Sequence, residues 1–236
     1  MTVFKYAFLR GFKTPASLIL NCVMPLALII IYPDMGFGAM AAAEAPNRLL
    51  FMVGLMVIFG GFALAKGIQQ DRMDGTIIRI LAGPITMRSY LVQNFMSAMV
   101  PMTVLSLLIG ILGVALNGWY IAFAAGVVIC YILLAASSIG LAFAWSCLFK
   151  DKETSWAALS VVITAIATLG GLMIPLSLLP FGLRLVGALF PAQWAARALE
   201  NIMEYGVLNT EFWLAMLAML MFTIAFMLFG GKRRLI

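Results

Sequence analysis

The stretch Gln70-Asp71-Arg72-Met73-Asp74-Gly75-Thr76-Ile77-Ile78-Arg79-Ile80-Leu81-Ala82-Gly83-Pro84 is the only long polar passage between two strongly apolar runs. Within it Met73, Ile77, Ile80 and Leu81 recur at i, i+4, i+7 and i+8, the spacing that gathers residues on one face of a helix. Asp71, Arg72, Asp74 and Arg79 are left for the other face. Gly83-Pro84 stops the helix, and Thr86 stands as N-cap of the next one. The pattern predicts a short amphipathic docking helix held between two membrane spans, able to pass force from a bound protein to both. A passive interfacial loop would have the same composition.

Outward from this loop the chain is apolar. Of 236 residues 64% are hydrophobic and 10% charged, and the mean hydropathy is +1.10, far outside the usage of soluble domains. A helix crossing the hydrocarbon core needs about 20 apolar residues. The apolar runs centre on Leu18 to Tyr32, Leu49 to Ala65, Val92 to Leu116, Trp119 to Phe149, Ser155 to Ile174 and Phe212 to Phe229. The expectation is an all-α integral membrane protein of six spans, one permease-like domain over residues 1–236. The fourth run is long for one crossing, and Gly126 and Gly140 within it suggest a tilt or a break.

Positively charged loops are retained in the cytoplasm. With the N-terminus inside, Lys5, Arg10, Lys13, Lys66, Arg72, Arg79, Arg88, Lys150, Lys152, Lys232, Arg233 and Arg234 fall on that side, twelve of the fifteen Lys and Arg residues. Only Arg48, Arg184 and Arg197 fall outside, while the acids divide four to five. Both termini are therefore expected in the cytoplasm, and the net charge of +6 is a topology signal. No basic patch interleaved with aromatics points to nucleic acid. At the start, Phe4, Phe8 and Phe12 share a helical face with Val3 and Ala7, opposite Lys5, Arg10 and Lys13. This reads as an amphipathic helix lying along the leaflet. It does not read as a signal peptide, because no cleavage site of the usual kind follows the run from Leu18, Ala41 onward offering only a weak one.

Several chemistries lose their support. The chain has no His, which removes imidazole zinc sites and Ser-His or Cys-His catalysis. Cys22, Cys130 and Cys147 lack partners at metal-ligand spacing and read as small packing residues. Gly230-Gly-Lys-Arg-Arg lacks the first Gly, the hydroxyl residue and the strand of a phosphate loop. No charge lies mid-span, so an ion-coupled carrier would have to bind its ion through carbonyls and hydroxyls.

The run from Asp71 to Pro84 resembles the ATP-binding-cassette type-2 permease family, in which an acidic-Arg-acidic-x-Gly-Thr run, a Leu-rich turn and a Pro form the coupling helix between spans two and three. Asp71, Arg72, Gly75, Thr76, Arg79, Leu81 and Pro84 match, and Met73 stands where the family usually has a second acidic residue. Pro175-Leu-Ser-Leu-Leu-Pro180, Phe190-Pro191-Ala-Gln-Trp194 and Ala198-Leu199 are similar to the family's pattern before the last span. The resemblance implies a bacterial plasma-membrane half-transporter whose two permease chains, a homodimer in preference to a heterodimer, each dock a separate ATP-binding subunit. ATP and Mg would be bound by that subunit, with no cofactor on this chain and no catalytic residue. Asp71, Arg72, Met73, Gly75, Thr76, Ile77, Arg79, Leu81 and Pro84 would couple to the ATPase, with Lys150 and Glu153 as a second contact. As bare sequence, Lys150 to Glu153 is equally a solvated turn.

The segment from Pro175 to Glu211 is too apolar for a soluble loop. Pro180 and Pro191 should divide it into short helices, with Trp194 and Tyr205 at headgroup depth. In the family this region forms re-entrant helices closing the outer end, which makes Pro175, Pro180, Pro191 and Trp194 outer-gate candidates. Asp34, Glu44, Glu200, Glu204 and Glu211 would make the outer mouth acidic, which would help release a cationic cargo, but acids facing water also solubilise a loop, and that is the favoured reading. Ser160, Thr164 and Thr168 lie four apart on one face of the fifth span, either lining a path or bonding back to their own helix. The expected activity is outward movement of an amphipathic drug, antimicrobial peptide or lipid by alternating access. A secondary carrier or channel, or an assembly factor without transport, are the other classes the sequence admits.

Overall fold

The computed structural model describes residues 2–11, 23–31, 48–83, 85–148 and 152–232. Among them every regular element is helical: α1 (Thr2–Gly11), α2 (Met24–Ile31), α3 (Arg48–Met73), α4 (Thr76–Leu81), α5 (Met87–Asn117), α6 (Ile121–Ser146), α7 (Lys152–Leu169), a 3-10 turn (Leu176–Leu178), α8 (Phe181–Gly187), α9 (Pro191–Tyr205) and α10 (Thr210–Lys232). Four are long and apolar enough to cross a membrane, over Leu50–Arg72, Met87–Leu116, Ile121–Ser146 and Thr210–Gly230. They answer the second, third, fourth and sixth apolar runs. Residues 18–22 and 32 of the first run lie outside the described residues, as do Phe12, Lys13, Cys22, Asp34, Glu44, Pro84, Lys150, Arg233 and Arg234.

The fifth run differs from expectation. Its helix, α7, has 18 residues, about 27 Å at 1.5 Å per residue, and ends at Leu169 although the apolar run continues to Ile174. The chain turns at Gly170 and Gly171. Gly171 has φ +85°, and a Cβ there would come within 2.6 Å of Leu176 and 3.2 Å of Ala196. Left-handed backbone under a close neighbour leaves room for glycine alone, so the helix ends where hydropathy continues.

α6 is the centre of the bundle, packed by α3, α5, α9 and α10. In its apolar window 67% of residues are buried, against 28% in α10. Of the tilt or break expected there, the break does not occur, and α6 is one helix through Gly126 and Gly140. These glycines are points of close approach: Gly126 lies under Ile202 and Val207, and Gly140 meets Phe226 and the Thr223 carbonyl. Gly61 on α3 does the same, where an added Cβ would lie 2.9 Å from Ser138 Cβ. Small residues let helices approach where no hydrophobic force drives them together in lipid.

The outer surfaces of α5 and α10 are apolar, with Val92, Met96, Val104 and Ile111 exposed on one and Leu214, Leu217, Met221 and Leu228 on the other. Buried hydroxyls are satisfied locally. Ser106 donates to the Met102 carbonyl, Ser138 to Leu134 and Thr223 to Met219, as a medium without water requires. Tyr131 on α6 donates to the Leu50 carbonyl across 2.8 Å. Cys130 and Cys147 are buried.

Candidate functional site

The stretch from Gln70 to Gly83 holds the end of α3 and a second helix, α4, where its pattern predicts one helix. α3 runs on to Met73, past the apolar core, and the chain then turns through Asp74 and Gly75. Gly75 N–H donates to the Arg72 carbonyl at 3.2 Å, and Gly75 takes φ 66°, ψ 9° as N-cap of α4. That left-handed geometry, which costs other residues about 1–2 kcal/mol, redirects α4. Thr86 caps α5 as expected, its hydroxyl accepting from Ser89 N–H at 3.3 Å.

The end of α3 is tied to four other helices. Asp71 is the hub: Arg10 of α1 reaches Asp71 Oδ1 at 2.6 Å, and the Tyr90 hydroxyl of α5 donates to Asp71 Oδ2 at 2.6 Å. Arg72 donates to the carbonyl of Ser146, the last residue of α6, where a cation suits both the orphaned carbonyl and the helix dipole. Gln69 donates to Ser155 Oγ on α7, a buried contact. Phe4 N–H of α1 donates to Gln93 Oε1 on α5 at 3.2 Å. The charge-assisted bonds to Asp71 are of the strong kind. α1 is thereby docked against α3 and α5 at the same end of the bundle.

These contacts revise the expected outward face. Asp71 and Arg72 point into the chain and bind it to itself. Ile77 is 2% exposed, with Ile80 half-buried against the core, so the predicted apolar face is a packing face and Ile77 is closed to a partner. The surface α4 presents is Ile78, 60% exposed, with Arg79, Asp74, Ala82 and Gly83 also exposed. Helical periodicity passes over Ile78. Its signal was there, one position off the buried stripe beside Arg79, but an apolar residue at such a position reads as more stripe. Thr76 opens α4. Only the backbone of Met73, Leu81 and Glu153 is described; Glu153 lies in the first turn of α7. Pro84 and Lys150 lie outside the described residues.

Ser160, Thr164 and Thr168 lie on one face of α7, along an open groove of about 600 Å³ shared with Val161, Ala165 and Leu169. Thr164 donates to the Ser160 carbonyl at 2.9 Å and Thr168 to the Thr164 carbonyl at 2.8 Å. The threonine protons are thus used by the helix, and their oxygens keep lone pairs toward the groove.

At the opposite end of the bundle the prolines divide the segment as expected. Pro175 precedes the 3-10 turn, Pro180 caps α8 and Pro191 opens α9. Trp194 Nε1 donates to the Ala188 carbonyl at 2.9 Å, pinning the α8–α9 turn, and Arg197 lies 5.1 Å over its ring. Arg184 donates to the carbonyls of Leu179 and Ser177. α9 sinks Ala192, Ala195, Ala196, Leu199 and Ile202 fully into the core.

Long apolar helices around a buried central one, with an amphipathic helix and a clasped polar loop at one end, define a membrane-embedded helical protein. The sequence profile of the ABC-2 type transporter family matches residues 1–204, so the chain belongs to that family. Its membrane domain is the permease component of an ATP-binding-cassette exporter, a transport subunit that works with an ATP-binding-cassette subunit. No curated protein matches the chain.

Proposed function

We propose that this chain is the membrane half of a bacterial plasma-membrane exporter with six spans, α2 and α7 serving as the first and fifth beside the four long helices. Both termini face the cytoplasm. Two copies form a homodimer, and each docks a separate ATP-binding subunit that carries ATP and Mg. The cargo is an amphipathic drug, antimicrobial peptide or lipid. It moves outward by alternating access along the α7 faces bearing Ser160, Thr164 and Thr168, with the helices from Pro175 to Tyr205 re-entrant and closing the outer end at Pro175, Pro180, Pro191 and Trp194.

The observation that carries the reading is the mounting of α4. It exposes Ile78 and Arg79 while Gln69, Asp71 and Arg72 just before it are bonded to α7, α1, α5 and α6. A partner that pushes on Ile78 and Arg79 therefore pushes on a rigid clasp, and the displacement reaches several helices together. Lys150 and Glu153 supply the second, shorter contact.

The test is purification of the tagged chain from native membranes in mild detergent, beside an Arg79→Glu variant. An ATP-binding subunit should accompany the wild type and be lost or reduced at least tenfold with the variant, as expected when a charge at a contact is reversed. A chain that never recovers an ATPase sinks the coupling argument.

A further inference from the structure

Away from the clasp, a pocket of about 510 Å³ opens between the start of α3, the 171–178 turn and α9. Its volume is in the range of small-molecule sites. Phe51, Met52, Met173 and Met203 supply an apolar, adaptable wall. Glu200 and Glu204, four residues apart on one face of α9, are the titratable groups that line it among the described residues. The sequence reads these glutamates as loop solubilisers, but Glu200 is half-buried in the pocket wall.

Among the described residues the nearby cations, Arg184 and Arg197, have other partners as well. Arg197 lies over the Trp194 ring and Arg184 donates to two backbone carbonyls. Glu204, exposed at the rim, is shared with the Tyr205 hydroxyl. Among the described residues no hydrogen bond or ion pair engages the Glu200 carboxylate. A partly desolvated carboxylate with no direct ion pair among the described residues, on a wall otherwise apolar, is complementary to one ligand chemistry: hydrocarbon bearing a positive charge.

We infer that this pocket binds an amphipathic organic cation, its hydrocarbon against Phe51 and the methionines and its charge against Glu200, with Glu204 at the rim. The inference deepens the export reading, on which it rests for the ligand's role as cargo. Burial pushes the Glu200 carboxyl above its ordinary value, opposed by Arg197, reinforced by Glu204 and opposed again by Arg184. Among the described residues, those of α3 and of the 171–178 turn that line the pocket include no titratable group.

The experiment measures equilibrium binding of tetraphenylphosphonium, and of its isosteric anion tetraphenylborate, to the full chain in lipid nanodiscs without ATP, after subtraction of empty discs. The cation should bind saturably and the anion should not. Glu200→Gln should weaken cation binding about tenfold, the value of one partly screened charge contact. Because the probe does not titrate, its affinity should rise with pH as Glu200 ionises, and this slope should vanish in the variant. Ser177→Trp keeps both carboxylates and fills the pocket, so it should abolish binding even if Glu200→Gln fails to fold. Cation binding unchanged by either substitution, or equal binding of both ions, overturns the assignment and leaves the export reading standing. Glu200-dependent binding by a chain that recruits no ATPase supports the pocket and overturns the export reading.

Discussion

Asp71 gathers a guanidinium from α1 and a hydroxyl from α5 on the two oxygens of one carboxylate. Tyr90 is 1% exposed, so its hydroxyl depends on that acceptor. Tyr90→Phe removes one bond to a charged group and should cost about 1.5–3 kcal/mol. Asp71→Ala should cost more, because it orphans a buried hydroxyl and an arginine together. Thermal unfolding of the detergent-solubilised variants measures both, and equal losses would show that Arg10 does not depend on Asp71. The sequence announces a polar run here, and its residue types suggest a surface. It gives no sign that Asp71 points inward, since its partners stand 61 and 19 positions away.

At the scale of the element, the break at Gly75 sets the direction of α4. An added Cβ would meet nothing within 4 Å, so Gly75→Ala tests conformation alone. It should destabilise by about 1–2 kcal/mol, and Gly75→Asn by less, because asparagine tolerates the left-handed region. Unfolding midpoints decide it, and an alanine variant as stable as wild type would show that the turn is not required. Gly61→Leu tests the opposite case, a glycine kept for space, and should cost about 1–3 kcal/mol by overpacking against α6. Sequence periodicity found the inward face of α4 at Ile77 and Ile80, and Gly83-Pro84 was legible as a stop. Gly75 was not legible as a break, because glycine is common in membrane helices and nothing local distinguishes a positive φ from a packing contact.

For the molecule as a whole, the proposed orientation puts Asp74 and Leu208 on opposite sides of the membrane. Leu208 is 93% exposed and Asp74 is also exposed. In a background with Cys22, Cys130 and Cys147 replaced, a membrane-impermeant maleimide should label Leu208→Cys in intact cells and Asp74→Cys only after permeabilisation. The reverse pattern would invert the topology. Hydropathy located the four long spans because a crossing helix must be apolar along its whole length. It overextended the fifth run, since composition stays apolar past Gly171 while the backbone turns.

Composition, apolar run length and the distribution of Lys and Arg were enough to set the class of this protein, the places of its long helices and a testable orientation. These are properties of single segments against water and lipid, and each segment carries them by itself. Only the tertiary structure decided that Asp71 and Arg72 face the chain, that Ile78 in place of Ile77 is exposed, that α6 is central, and that Glu200 is half-buried in a pocket wall. Each of those depends on which side chains distant in sequence arrive at the same point, and a one-dimensional pattern does not encode that meeting.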